Sequence, residues 1–321
     1  MSDVLTRANL ESQLRDRAGI RAGDVLIVHS SMKSLGPIEG GPETVVAALQ
    51  NVVTESGTLL MPAFSAPQPD GVFRLLETPS RTGLITETFR RSSGVLRSHH
   101  PTHSVAAWGR QAVEFISGHD LTSGLGVNSP FHKAVLAQHG TKDVETRGSG
   151  DAVNASGLGE ATLRSPSPPR GRGVRGEGAT NAQSATRNPQ CRILMVGCDL
   201  TSCSLVHVAE AIVRVPYLGR VIFTGYDRTL TLVDAQGNVR EVPPKDVPGD
   251  SAGFTVVQQE LERRGQLQHV ELGAAACLLA NAADCLAAAV DLLRSDAAAL
   301  LCHNPQCSVC SQSRQLVRSV P

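Results

Sequence analysis

The chain has 321 residues, 41% hydrophobic, 19% charged and only 3% aromatic. Thirty basic side chains balance thirty acidic ones, so it lacks both the basic face that displaces counterions from nucleic acid and the acidic excess of a solvating disordered chain. Its length is ample to bury a core.

The first 19 residues alternate charges around no apolar stretch, so no secretory signal is expected. The most apolar late stretch, Leu272 to Cys302, is interrupted by Asn281, Asp284, Asp291, Arg294 and Asp296, too many polar groups for a bilayer span. Eight cysteines, at 191, 198, 203, 277, 285, 302, 307 and 310, fall in a chain whose size needs no disulfide framework, and a cytoplasmic location is expected.

In chain order, Thr6 caps a predicted helix whose Leu10, Leu14 and Ala18 recur every four positions. Gly23-Asp24 breaks into the apolar run Val25–Val28, which suits a buried strand. A polar, glycine-punctuated segment from His29 to Gly41 follows, then a helix opened by Pro42 with Val45, Leu49, Val52 and Val53 on one face. Thr58–Met61 is a second buried strand. Strand, polar loop, helix, strand is the pattern of a layered α/β domain. Residues 141–189 hold Gly, Ser, Pro, Arg and Ala with almost no large apolar side chain, too little to offset the entropy of ordering. They read as a disordered surface insertion, since the clustered arginines 164, 170, 172 and 175 have no interleaved aromatic residue for base stacking. Ile193–Val196 is another buried strand. Ser204 is placed to cap a helix carrying Leu205, Val208, Ala209 and Ile212. Val221–Val239 alternates around Gln236-Gly237 like a hairpin, and the Ala/Leu-rich stretch Leu261–Leu301 reads as mostly helical.

The first polar loop places His29, Ser30, Ser31, Lys33, Ser34, Leu35 and Gly36 after a strand's C-terminal end, the edge where α/β sheets bind ligands. Small residues let backbone N–H groups approach a phosphate and Lys33 adds a positive charge. There is neither a GxxxxGK[ST] nor a GxGxxG motif, and by itself the segment also fits an ordinary strand–helix connection.

The stretch LIVHSSMKSLGPIEGGPETVVAALQNVVTESGTLLMPAFS (Leu26–Ser65) resembles the N-terminal signature of the aminoglycoside 3-N-acetyltransferase family. Three further blocks resemble that family in the same order. They are HPTHSVAAWG (His100–Gly109), Ser129-Pro130-Phe131, and ILMVGCDLTSCSLVHVAE (Ile193–Glu210), which ends in H-x-A-E. The resemblance implies a three-layer α/β/α domain with a mixed central sheet, built from residues 1–140 and 190–301. It also implies acetyl transfer from acetyl-CoA to the 3-amino group of a 2-deoxystreptamine antibiotic, by direct attack of the amine. A protonated amine needs a base, and the thioester oxygen needs donors as it becomes an oxyanion. The family motif places His207 as that base. Glu210, three residues on along the same helix face, would orient the imidazole or hold a substrate ammonium. The segment from His29 to Gly36, with Ser104 as a possible oxyanion donor, would bind acetyl-CoA. His100 and His103 rank below His207, because in an extended strand they point to opposite faces.

This sequence departs from the family pattern at the acid usually found six residues before the histidine, which is Thr201 here. Asp199 is a candidate substitute for binding substrate. Cys203 and Ser204 stand where the family usually has Asn or an apolar residue and then Thr. The stretch PPKDVPGDSAGF offers only Asp246 and Asp250 to a polycationic drug. An acetyltransferase on another primary amine, or a non-catalytic CoA-binding relative, are the alternative readings. The tail from residue 302 carries C-x4-C-x2-C. That spacing permits zinc at Cys302, Cys307 and Cys310, with His303 as a further donor, but the single C-x2-C favours reduced thiols on a tail and no metal. Partners are expected to be acetyl-CoA and a small amine, without nucleic acid or membrane.

Long surface loops cost little in closure entropy, about 0.6 kcal/mol per doubling of length. Replacing residues 145–185 by a few Gly/Ser residues should therefore leave Tm and kcat close to the parent. A collapse of either would show that the segment packs over the site.

Overall fold

Thr6 opens the first helix, α1 (Arg7–Asp16): its hydroxyl accepts the N–H of Asn9 at 3.2 Å, and Leu10 and Leu14 are buried as their spacing requires. In this computed structural model residues 4–139, 188–220, 225–245 and 247–320 are described, so the predicted insertion at 141–189 lies outside the described residues but for 188 and 189, and Asp246 lies outside them too. After α1 come β1 (Val25–Ser30), α2 (Gly41–Val53), β2 (Thr58–Pro62), β3 (Val72–Arg74), α3 (Leu84–Arg91), β4 (Leu96–Arg97), β5 (Val105–Gly109), α4 (Ala112–Ile116) and α5 (Pro130–His139). The second half gives β6 (Cys191–Val196), α6 (Val206–Val213), β7 (Leu230–Val233), β8 (Val239–Val242), α7 (Thr255–Arg263), β9 (Leu267–Leu272), β10 (Ala275–Asn281), α8 (Ala282–Ser295) and α9 (Ser308–Arg318).

Seven strands form one mixed sheet in the order β4-β5-β2-β1-β6-β10-β9. β1 pairs in parallel with β2 and β6, and the outer pairings are antiparallel. Both faces of the centre are covered, so Val25–Val28, Leu59–Met61 and Ile193–Val196 are continuous apolar runs. The pleat still sorts them. Val25, Ile27, Ile193 and Met195 join a core under α4–α9, whereas Leu26, Val28, Leu194 and Val196 join a core under α1–α3. Burying each Leu or Ile contributes about 1.5–3 kcal/mol. The three-layer arrangement expected from the sequence is the one found.

Two expectations need correction. The stretch read as mostly helical opens, after α7, into the β9–β10 hairpin before α8 begins. Gly273 turns that hairpin at φ +58°, and its missing Cβ leaves room for the Leu35 carbonyl. Ala275–Asn281 pairs with strands on both sides and so shows no polar alternation, which makes its composition look helical until tertiary pairing decides. The C-terminal segment is also more than a tail, because Cys302 and Cys310 are buried in the main core beneath α9. The turn at Gln236-Gly237 was placed correctly, but its strands are β7 and β8, which join β3 in a separate three-stranded sheet.

Arg97 ties the two sheets together. Buried on β4, its guanidinium donates to Ser104 Oγ at 2.9 Å, to the Ala63 carbonyl at 2.8 Å, and to the Leu75 and Thr78 carbonyls beyond β3. It also lies 4.8 Å from the Phe73 ring centroid. Removing a donor set that serves several buried acceptors leaves each unsatisfied, at about 1–3 kcal/mol apiece. Arg97→Met should lower stability by about 3 kcal/mol or more, measured by urea unfolding. A loss of less than about 0.5 kcal/mol, the size of an ordinary surface effect, would mean that the guanidinium is not the tie.

Candidate active site

β1 and β6 run side by side in parallel, with Ser30 opposite Val196, so the loops leaving their C-terminal ends emerge together. Gly197 allows the close approach. Its φ is +63°, and a Cβ there would sit 2.1 Å from Ser34 Cβ. Ser34 Oγ reaches the Gly197 carbonyl at 3.1 Å and Ser31 Oγ at 3.0 Å. Above this seam lies a cleft of about 610 Å³.

Of the predicted cofactor loop, His29, Ser30 and Ser31 line the cleft. Ser34, Leu35 and Gly36 instead dock the loop onto Gly197 and the β9–β10 turn, where Ala274 N donates to the Leu35 carbonyl at 3.1 Å. Lys33 is exposed and outside the cleft lining. His29 Nε2 and Ser30 Oγ are buried without a hydrogen-bond partner, which is how polar atoms look when a ligand is meant to meet them. Burial holds the His29 imidazole down to about 4, so it is neutral at pH 7.

Opposite stands α6. The sequence put its cap at Ser204; the helix starts at Val206, and Ser202, Cys203 and Ser204 line the cleft as a turn before it. His207 also lines the cleft. Its Nδ1 is 2.7 Å from Glu210 Oε2, and the other carboxylate oxygen accepts the Tyr217 hydroxyl at 3.0 Å. Glu210 is fully buried, and in the tautomer that donates Nδ1–H to its Oε2, Nε2 is the nitrogen left to accept a proton. Phe254 packs edge-on against the imidazole, with centroids 4.6 Å apart. Burial and the Glu210 carboxylate push the Tyr217 hydroxyl far above its ordinary range, keeping it a donor. His207 and Glu210 are therefore brought together as the sequence implied, with Tyr217 as an unforeseen third member.

Other candidates are placed elsewhere. Ser104 is fully buried and lies outside the cleft lining: its hydroxyl donates to the Ala63 carbonyl at 2.7 Å and accepts from Arg97. The exposed Asp199 caps its own 3-10 turn, accepting from Thr201 N at 3.0 Å, and lies outside the cleft lining while Thr201 is in it. The strand argument that separated His100 from His103 does not apply, because both precede β5 in a turn where His100 Nδ1 accepts the His103 N–H at 3.0 Å. His103 lines the cleft and His100 does not. Burial, reinforced by His207 and His119, holds His103 down to about 3. Phe64, Thr82, Thr86, Tyr226, Val247, Pro248, Gly249 and Ser251 also line the cleft. Phe64 lies in the Leu26–Ser65 stretch and residues 247–251 in PPKDVPGDSAGF, but nothing in their spacing singles them out, and the segments that carry them become neighbours only through the fold. Among the described residues the lining carries no Asp, Glu, Lys or Arg.

The profile of the family described as aminoglycoside 3-N-acetyltransferase matches residues 27–141 and 180–294. Aminoglycoside N(3)-acetyltransferase III from Salmonella sp is 35% identical over 139 residues, 37% of this chain and 48% of that protein. The chain spans about half the length of the curated relatives it matches. Among solved structures, aminoglycoside acetyltransferase AAC(3)-IVa in complex with gentamicin matches with a TM-score of 0.71 at 24% identity, covering 98% of both chains. AAC-IIIb with CoASH matches with a TM-score of 0.62 at 22% identity, over 91% of this chain and 97% of that one. These two likenesses establish a shared fold. Because the family profile spans the central strands and the helix that carries His207 and Glu210, the chain belongs to the aminoglycoside 3-N-acetyltransferase family.

Proposed function

We propose that the cleft transfers an acetyl group from acetyl-CoA to the 3-amino group of an aminoglycoside, with His207 as general base. The observation that carries this reading is the Tyr217–Glu210–His207 chain of hydrogen bonds ending at an imidazole that lines the cleft. His207 Nε2 takes a proton from the attacking amine as nitrogen forms its bond to the thioester carbon. The carbon–sulfur bond then breaks, and the proton passes to the leaving coenzyme A thiolate. Glu210 stabilises the imidazolium in between, and Tyr217 fixes the carboxylate that does so. His29, Ser30 and Ser31 are the cofactor-side residues, two of them with buried polar atoms awaiting a partner. The coenzyme A complex of AAC-IIIb and the gentamicin complex of AAC(3)-IVa support the two substrate classes.

One observation favours a second acceptor. A drug with several ammonium groups is drawn to carboxylates, and among the described residues the cleft lining has none. A primary amine of lower charge fits that lining better. Thiol release from acetyl-CoA, measured across amines with and without deoxystreptamine, separates the two. A kcat/KM highest for the deoxystreptamine compounds supports the first reading, and one highest for monoamines supports the second.

His207→Ala should lower kcat about 10²-fold or more while leaving acetyl-CoA binding nearly intact. Glu210→Gln should also lower kcat, by about 10-fold or more, because an amide N–H can replace the acceptor at Nδ1 and favour the wrong tautomer. Unchanged turnover in the alanine variant would remove His207 from the chemistry.

A further inference from the structure

On the far side of the loop that walls the cleft, four potential metal ligands converge. The Asp250 carboxylate and the thiols of Cys302, Cys307 and Cys310 all lie within 4.8 Å of one another. Cys307 Sγ is 3.0 Å from Asp250 Oδ2 and Cys310 Sγ 3.9 Å from it. The fold holds this group in place by several independent means. Cys302 and Cys310 are buried, and Cys302 N donates to Cys310 Sγ at 3.3 Å. Arg314 of α9 grips the segment leading in, through the carbonyls of Cys302 at 2.7 Å and Leu301 at 2.8 Å. Gly253 lets the Asp250 segment lie directly against it, since a Cβ there would be 2.2 Å from the Leu300 carbonyl.

We propose that Asp250, Cys302, Cys307 and Cys310 form a structural zinc site. Tetrahedral zinc with Zn–S of about 2.3 Å sets ligand atoms about 3.5–3.8 Å apart, so contraction by about 1 Å or less completes the shell. Three thiols and one carboxylate are a donor set for zinc, while a site for magnesium or calcium would be all oxygen. Binding releases the thiol protons, and the sulfurs ligate as thiolates. All four ligands come from the protein, which leaves no open position and marks the site as structural. The fourth ligand is Asp250, brought in from a distant loop, and not the sequence neighbour His303, which is exposed and absent from the cluster.

The site would pin the cleft wall. Asp250 follows Gly249, where a Cβ would come within 3.1 Å of both Glu210 Oε1 and the Tyr217 ring. Val247, Pro248, Gly249 and Ser251 line the cleft itself. Zinc on Asp250 thus anchors to α9 the loop that packs against the Glu210–Tyr217 pair.

The full chain, expressed with zinc in the medium and purified without chelator, should carry about one zinc per chain by elemental analysis. Stripping under reducing conditions should lower Tm by about 5 °C or more, and zinc should restore it. Reloading the stripped wild-type protein with cobalt(II) should give a thiolate-to-cobalt charge-transfer band and the visible absorption of tetrahedral cobalt. This readout needs no variant to fold. Cys307→Ser and Asp250→Asn should each weaken zinc retention against a competing chelator by about tenfold or more. The proposal is overturned if stripped protein takes up no cobalt, if the band lacks thiolate character, if both variants hold zinc as tightly as the parent, or if intact mass shows Cys307 and Cys310 joined as a disulfide. Metal content and cobalt spectrum do not depend on what the cleft binds, so their failure is separate from any failure of the acetyl-transfer reading.

Discussion

The parallel pairing of β1 with β6 is the contact on which the cleft depends. Two strands far apart in sequence lie in register from Val25↔Cys191 to Ser30↔Val196, so the loops they release must share one edge of the sheet. The end of β1 and the loop after it carry His29, Ser30 and Ser31, and the loop after β6 leads through Thr201 and Ser202 to His207. At Gly197 only a residue without a Cβ fits against the Ser34 side chain. Their runs Val25–Val28 and Ile193–Val196 are apolar on both faces and buried between two helical layers. The energy that fixes the register is therefore core burial.

The cleft's electrostatics come from burial more than from charge. Its lining among the described residues has no Asp, Glu, Lys or Arg, and His29 and His103 are held neutral by desolvation. The nearby His119 follows the same rule. Its Nε2–H donates to the Gly124 carbonyl at 2.8 Å and its Nδ1 accepts from Ser98, and burial holds its pKa down to about 4. His207 differs from these because it is backed by a buried carboxylate, and that carboxylate is itself held by a tyrosine. A base needs such support because the imidazolium it forms must be stabilised away from water.

Several residues with suitable chemistry are used for structure. Ser104 is taken by Arg97 and Ala63, and Asp199 by the turn it caps. Lys33, the one positive charge in the first loop, is exposed. For Ser104 and Asp199 a tertiary or local hydrogen bond claims a group that residue type alone would offer to a ligand. The cysteines divide similarly. Cys191, Cys203, Cys277 and Cys285 fill the cores as small apolar residues, while Cys302, Cys307 and Cys310 turn toward one carboxylate.

The sequence by itself determined the central strands, the Thr6 cap of α1, the buried faces of α1 and α2, the hairpin turn at Gln236-Gly237, the layered α/β pattern and the placing of Glu210 on the helix face of His207, because each rests on short-range pattern or spacing; the mixed three-layer class came with the family resemblance. Only the tertiary structure decided that Ala275–Asn281 is a strand, since pairing on both sides removes the alternation that would mark it. The same holds for Tyr217 behind Glu210, for His100 and His103 sharing a turn, for the loops at Thr82, Tyr226 and Pro248 that complete the cleft, and for Asp250 among the cysteines. Each of these depends on residues that meet only after the sheet has closed, and no periodicity in the chain records a contact made across that distance.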